Sequence, residues 1–323
     1  MSTEPSALCV SLYVRRRVRD LLTCSKLLLL QPTVGRWCVS GGCRDRVAAM
    51  RPNVPTGRSL PSNADELLAC LISAAQHGGE ALSDCFGRAL DAQEKSHPSD
   101  LRTSADTASE RAILEVLERT QPQLAVYSEE RGRVGSSPLV VVIDPLDGTS
   151  NFVLGVLNFS VSLALMCEEE TLIGVVHQPV LRRTYWALKG RGAHRDSVRL
   201  RVNHESRIER AIVSYTSGYL TPAAQGEHVA HALTALGVKR FIRFWSPAYD
   251  FCLLASGKIE GVVNNGSELY DFAAGRLLVR EAGGQLTDAA SRPDTDANAY
   301  FVASNGTRLH DALLQVVGEM PQD

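Results

Sequence analysis

The chain has 323 residues, 44% hydrophobic and 22% charged, a balance that excludes a disordered tail, a collagen or a coiled-coil rod. Its length fits one large domain or two closely joined ones, and no apolar run approaches the eighteen residues of a membrane-spanning helix. The net charge of −2 divides unevenly: residues 1–60 carry nine Arg and one Lys against Glu4, Asp20 and Asp45, a net +7, which leaves −9 for residues 61–323.

The first sixty residues stand apart. Arg15-Arg16-Arg17-Val18-Arg19 leads into Leu21-Leu22 and then Leu27 to Leu30, followed by Gly, Pro and Arg. Arg-rich, acid-poor composition is that of an organelle transit peptide, without the long apolar core of a secretory signal. It is equally that of a disordered extension, or of sequence upstream of the true start, with Met50 an available initiator. The expected location is the cytoplasm, or a mitochondrion or other organelle if the arm is a transit peptide. The acidic remainder argues against a general nucleic-acid binder, which needs a broad basic face, and suits a site that gathers cations. Cysteines stand at 9, 24, 38, 43, 70, 85, 167 and 252. Those beyond residue 43 are single and mostly in apolar surroundings, which reads as buried free thiols rather than a disulfide framework. Cys38 and Cys43 lack zinc-ligand spacing.

From Asn63 the pattern becomes regular. Leu68, Leu71, Ala75, Gly79, Leu82 and Phe86 recur at helical spacing, predicting one amphipathic helix over 63–90, with Asn63 as N-cap and Glu66 completing a capping box. A loop with His97-Pro98 follows, then a helix over 104–120 ended by Pro122. Residues 139–143, a β-branched run, read as a buried strand. Residues 159–167, 172–177 and 184–188 read as the strands of an antiparallel meander. Beyond Asn203, strands near 211–215, 259–263 and 299–304 alternate with helices near 222–236, 247–257, 270–282 and 308–318. Gly283-Gly284 stops the third of these helices through a left-handed cap. The expected class is α+β, with one sheet largely antiparallel and the other served by crossover helices. The division expected is an extension over 1–60 and a main domain over 61–323, with halves 61–205 and 206–323.

The chemistry concentrates in Ile143-Asp144-Pro145-Leu146-Asp147-Gly148-Thr149-Ser150-Asn151-Phe152. Asp144 and Asp147, separated by a proline-stiffened turn, aim two carboxylates at one point. Hard cations such as Mg²⁺ take such oxygens, and the Leu146 carbonyl adds another. A short helix starting after Gly148 would present backbone N–H groups to an anion. A polar turn between strands accounts for an isolated DxxD pair as well, but other carboxylates accompany this one. They are Glu129 in Tyr127-Ser128-Glu129-Glu130, Asp271 after Tyr270, and Asp106 near the start of the 104–120 helix. Each has a plain alternative: a solvated pair for the Glu residues, a helix cap for the two Asp.

DPLDGTSNF, preceded by SEE and followed by YDFAAGRLLVREAGG, resembles the inositol monophosphatase family of the magnesium-dependent, lithium-sensitive phosphatases. The segment from Lys95 through Asp100 and Thr103 to Asp106 matches the same family. The resemblance spans about 63–318. It implies a layered αβαβα sandwich of the inositol monophosphatase/fructose-1,6-bisphosphatase type, and a homodimer. It also implies two or three Mg²⁺ per site held by Glu129, Asp144, the Leu146 carbonyl, Asp147 and Asp271. Asp106 and Thr149 match the pair that activates the attacking water, with Glu129 beside the metals. Leu146, Asp147, Gly148, Thr149, Ser246, Asn264 and Asp271 match positions that line the substrate. The implied reaction is hydrolysis of a small phosphomonoester, inositol-1-phosphate first. Histidinol phosphate, fructose-1,6-bisphosphate and 3′-phosphoadenosine nucleotides follow, and a non-catalytic binding or regulatory relative is the alternative from another class.

Three departures bear on specificity. Tyr270 stands where the family has Trp. Asn264 replaces the Glu that contacts sugar hydroxyls, and an amide brings no charge. A small-residue turn gives way to Arg243-Phe244-Trp245-Ser246-Pro247-Ala248-Tyr249, whose Trp245 and Tyr249 either pack in the core or crowd a polyol and stack on a base or imidazole.

Overall fold

A computed structural model describes residues 60–88, 93–94, 101–289, 291–292, 295–296 and 298–318, all within the compact unit Ser59–Asp323. The basic arm, Cys9, Cys24, Cys38 and Cys43, and residues 95–100 lie outside the described residues. Cys70, Cys85, Cys167 and Cys252 are free thiols, three of them buried. Among the described residues no helix is long and apolar enough to cross a membrane.

The first helix, α1 (Ala64–Cys85), buries Leu67, Leu71, Ala74, Ala75 and Leu82 along one stripe. It ends a turn short of the expected 90 because Phe86 turns extended and only its N–H closes the last turn on Leu82. The expected capping box is absent: Asn63 makes no side-chain cap bond. Its backbone, at φ −100° and ψ 27°, continues the turn closed by Ala64 N–H on the Pro61 carbonyl and is not the extended form a capping side chain needs. After the short pair β1 (Gln93–Glu94) and β2 (Leu101–Arg102), helix α2 (Ser104–Thr120) runs over the predicted residues, and here the box forms, between Thr103 and Asp106.

Two sheets follow. The first has eight strands: β3 (Ala125–Ser128), β4 (Gly132–Val134), β5 (Leu139–Asp147), β6 (Ser160–Cys167), β7 (Glu170–Gln178), β8 (Arg183–Leu188), β9 (Gly192–Arg195) and β10 (Val198–Arg199). Their order is β10-β9-β8-β7-β6-β5-β3-β4. The predicted meander is β6 to β8, and the one parallel pair is β3 with β5. A six-residue helix, α3 (Thr149–Leu154), interrupts the chain between β5 and β6. The second sheet contains β11 (Ile212–Ser217), β12 (Arg240–Ile242), β13 (Gly261–Asn265), β14 (Gln285–Asp288) and β15 (Tyr300–Ser304), in the order β12-β11-β13-β15-β14. Its parallel pairs, β11 with β12 and β11 with β13, require crossovers. Helices α4 (Ala223–Leu236) and α5 (Pro247–Ala255) supply them, and α6 (Leu269–Glu281) and α7 (Leu309–Gly318) complete the half.

Three apolar cores order the layers. One lies between α1, α2 and the large sheet. The second surrounds α5 and α6, sandwiched between the sheets. The third lies between the small sheet and α4 with α7. The result is the αβαβα sandwich expected of the resemblance. Helix α6 stops as predicted: Gly283, at φ +88°, donates to Arg280 O, and Gly284 N–H to Val279 O, the pair of bonds of a Schellman end.

Two buried ionisable side chains sit in the middle layer. Arg276 lies between the Phe272 and Phe301 rings, 5.3 and 4.3 Å from their centres, and donates to the carbonyls of Asn298 (2.7 Å) and Thr295. It thereby ties the chain before β15 to the helix that carries Asp271. Asp250 on α5 accepts from Ser214 Oγ at 2.6 Å, while its Oδ1 is buried without a partner. Burial, and the Asp147 charge after it, push its pKa up to about 8. Between the ordinary value and about 8 the native state holds a proton that the unfolded chain has released, so the group's penalty grows as pH rises across that window. Asp250→Asn, melted in EDTA, is expected to gain about 2 kcal/mol at pH 8, some 4–8 °C, and much less at pH 5. A gain independent of pH would place the effect elsewhere.

Candidate metal and phosphate site

Strand β5 does not end in a turn at Asp144 as the proline suggested; it continues to Asp147 through a bulge. Asp144 pairs with Ser162 and Asp147 with Ser160, so three steps on β5 face two on β6. In a regular strand, residues three apart point to opposite faces. The extra residue at Pro145-Leu146 returns Asp147 to the face of Asp144, and a bulge also accommodates a residue with no N–H to offer. Each carboxylate is held. Asp144 Oδ1 accepts Leu146 N–H at 3.0 Å. Asp147 accepts Ser160 Oγ at 2.8 Å, the Ser246 hydroxyl, and Ala248 N–H at 3.2 Å.

Asp271 arrives from the third position of α6. Its Oδ2 accepts Glu268 N–H at 2.8 Å, so Glu268 and not Asp271 is the N-cap, and Asp271 completes the capping box with one oxygen. Oxygens of Asp144, Asp147 and Asp271 lie within 4.8 Å of one another. Glu129 follows β3, its N–H bonded to Ile143 O at 3.2 Å, and lines the same cleft. Burial raises the Asp144 pKa well above the carboxylate range, and the charges of Glu129, Asp147 and Asp271 raise it further. Asp271 is raised by burial, then by Asp147 and Glu129. Burial lifts Asp147 to about 6 against the lowering by its hydroxyl donors. Carboxylates that oppose one another's ionisation are relieved by protons or by a cation, and an all-oxygen donor set could hold a hard one.

Asp106 repeats the double use seen in Asp271. Its Oδ2 accepts Thr103 N–H and Oγ, both at 2.7 Å, while Thr149 Oγ lies 3.3 Å from its Oδ1 and 3.0 Å from the Leu146 carbonyl. Gly148 precedes α3 at φ +91°, and a Cβ there would come within 3.0 Å of Asn158 O and 3.3 Å of Trp245 O; only glycine fits. Leu146, Gly148, Thr149 and Ser150 line a cleft of about 550 Å³ together with Glu129, Asp144, Asp147 and Asp271.

Two predicted substrate contacts lie elsewhere. Asn264 is buried in β13: its Oδ1 accepts Thr216 Oγ and Ser267 Oγ, both at 2.6 Å, and its Nδ2 donates to Ala299 O at 2.8 Å. Its amide is spent inside the fold. Ser246 is buried behind the cleft, supporting Asp147. Glu129 and Glu130 are not a solvated pair either, since Glu130 is buried against Arg102 at 2.6 Å. Sequence reasoning missed Ser160, whose place opposite Asp147 is legible only from the bulged register. It also missed Arg243 and Tyr219 on the cleft wall. Trp245 is exposed there, whereas Tyr249 packs edge-on against Tyr185 at 6.0 Å.

The sequence model described as "Inositol monophosphatase family" matches residues 63–322. The chain is 35% identical over 245 residues to "Nus factor SuhB" of Haemophilus influenzae, covering 74% of this chain and 89% of that one. It is 32% identical over 255 residues to "Inositol-1-monophosphatase" of Mesorhizobium japonicum, covering 78% and 96%. The solved structure of the Thermotoga maritima IMPase superposes with a TM-score of 0.71 at 30% identity, covering 79% of this chain and 97% of that one. Architecture, carboxylate cluster and sequence agree: the chain belongs to the inositol monophosphatase family.

Proposed function

We propose that the protein is a Mg²⁺-dependent phosphatase that hydrolyses a small phosphomonoester by attack of water on phosphorus. The observation that carries this is the meeting of Asp144, Asp147 and Asp271 within 4.8 Å beside a hydroxyl–carboxylate pair in one cleft. In this reading Glu129, Asp144, the Leu146 carbonyl, Asp147 and Asp271 hold two or three Mg²⁺. The half 61–205 gives all of these but Asp271, which comes from 206–323. Bound there, Mg²⁺ supplies Lewis acidity to the phosphoryl oxygens and the leaving alcohol and makes water more nucleophilic. The chain's own part is positioning. The first N–H groups of α3, without helical partners, face a phosphate from Gly148 and Thr149. The Thr149 hydroxyl orients the water, and Asp106, one oxygen fixed by Thr103, takes the proton through it. Asn264 and Ser246 have no part in substrate contact in this account.

The test is phosphate release from inositol-1-phosphate, histidinol phosphate, fructose-1,6-bisphosphate and a 3′-phosphoadenosine nucleotide, with Mg²⁺ or EDTA. Release that requires Mg²⁺ and is inhibited by Li⁺ is expected; inactivity on all four would favour the binding or regulatory reading, which the SuhB names of several relatives raise.

A second copy of the chain is the proposed partner. Val153, Leu154, Val156, Leu157, Leu181 and Phe244 are exposed apolar residues on segments stitched together. Asn151 Nδ2 bonds the carbonyls of Asn158 and Phe244 at 2.7 and 2.6 Å, and Gln178 Nε2 bonds Leu157 O at 2.9 Å. A patch of this kind marks an interface. Leu157→Glu is expected to convert a dimer to a monomer in light scattering; an unchanged mass would move the interface elsewhere.

A further inference from the structure

The alcohol half of the substrate is addressed by a part of the cleft wall that the reaction does not use, an inference that rests on the phosphatase reading. Trp245, between β12 and α5, has φ +53°, a left-handed backbone that a bulky residue adopts only when its surroundings over-determine it. They do so here on both sides. The Phe244 carbonyl accepts from Asn151 Nδ2 at 2.6 Å and Asn158 Nδ2 at 3.2 Å. The Ser246 hydroxyl is bonded to Asp147, and the Trp245 carbonyl lies against Gly148. The backbone at 245 is therefore fixed by the same residues that build the carboxylate cluster and α3.

This backbone turns the indole outward. Trp245 is 58% exposed and lines the cleft, where glycine would have been the unstrained residue and core packing explains nothing. Tyr219, 46% exposed, lines the same cleft, as does Arg243, whose guanidinium lies 5.1 Å from the Tyr215 ring and 3.3 Å from Ser217 Oγ. Asn264, the residue expected to meet sugar hydroxyls, has its amide satisfied internally. The Asn264 amide is thus withheld from a polyol, and beside Glu268, Ser150, Ser217 and Thr221 the cleft wall presents aromatic side chains and a cation.

We propose that Trp245 is a stacking platform for the leaving group, and that the preferred substrates are phosphomonoesters whose alcohol carries a flat aromatic ring, such as a nucleobase. Every base has a π-face, so stacking on an indole selects the ring rather than its hydrogen-bonding edge.

The experiment measures calorimetric dissociation constants of adenosine 3′-monophosphate and inositol-1-phosphate for the full chain and for Trp245→Gly, in Ca²⁺ to suppress turnover. The wild type is expected to bind the nucleotide at least tenfold more tightly than the polyol phosphate. Trp245→Gly, relieved of its backbone strain, is expected to melt higher, to lose about tenfold (~1.4 kcal/mol) for the nucleotide, and to keep its affinity for the polyol phosphate. Equal weakening of both ligands, tighter polyol binding by the wild type, binding of neither, or an altered oligomeric state with both affinities intact would each overturn the proposal. Turnover of both compounds in Mg²⁺, measured alongside, separates the two readings. Hydrolysis without discrimination at Trp245 removes only the stacking platform, whereas Trp245-dependent nucleotide binding without hydrolysis removes only the phosphatase.

Discussion

Asp144→Asn is expected to lower kcat at least a thousandfold in saturating Mg²⁺ while raising the melting temperature of the metal-free protein. The two effects have one cause. Asp144 is 2% exposed, and burial together with the charges of Glu129, Asp147 and Asp271 drives its pKa upward. Removing one negative charge relieves that repulsion when no cation is present, yet it deletes an oxygen from the donor set. The amide oxygen can still accept Leu146 N–H, so the local backbone bond survives. A carboxylate needed only for the fold would lose stability with activity; a metal ligand separates them. The pH dependence has the same origin. Raised folded-state values mean that the empty site holds protons that Mg²⁺ must displace, so Mg²⁺ affinity is expected to rise with pH through about 6, where Asp147 titrates. Titrating Mg²⁺ at pH 5.5 and 7.5 in two buffers of different ionisation enthalpy reads the released protons directly. Equal affinity at both pH values, with no proton release, would detach the cluster from metal binding.

In the proposed mechanism the Thr149 hydroxyl acts on the attacking water and not on substrate affinity, so Thr149→Ala is expected to reduce kcat by about a hundredfold or more and leave KM within a factor of three. The geometry behind this is the hydroxyl 3.3 Å from Asp106 Oδ1, with the other Asp106 oxygen locked by two bonds from Thr103. Thr149→Ser keeps the hydroxyl and is expected to restore most of the rate. Asp106→Asn is expected to match Thr149→Ala, and the double variant to be little worse than either, since groups acting as one unit are not additive. A raised KM with normal kcat in Thr149→Ala would make Thr149 a substrate-binding residue instead.

Long elements with a full period were legible in the sequence: helix α2 occupies its predicted residues, and the stop of α6 follows from Gly283-Gly284. The strands that went unread, β1 to β4, β9, β10, β12 and β14, are two to four residues long; their registers come from their pairing partners and not from their own patterns. The carboxylates were legible as residues but not as geometry. Asp144 and Asp147 share a face because β6 supplies two partners for three steps of β5, a property of the pairing. Asp106 and Asp271 each spend one oxygen in a capping box and keep the other for a second partner, so the structural reading does not compete with the proposed one. Asn264 and Trp245 show the opposite limit. The family resemblance suggested sugar contact for one, and side-chain type gave no decision for the other, whereas Thr216 and Ser267 turn the amide inward and Asn151, Asn158 and Asp147 turn the indole outward. Those partners lie between 3 and 99 positions away in the chain.

The central claim is attack of water on phosphorus at the Asp144, Asp147 and Asp271 cluster. It is tested most directly by a single-turnover reaction in H₂¹⁸O with Mg²⁺, read by ³¹P NMR and mass spectrometry of both products. The account predicts one solvent oxygen in the released phosphate and none in the alcohol, with no product in EDTA or with Asp144→Asn. Label in the alcohol, or release that persists without a divalent cation, would contradict it.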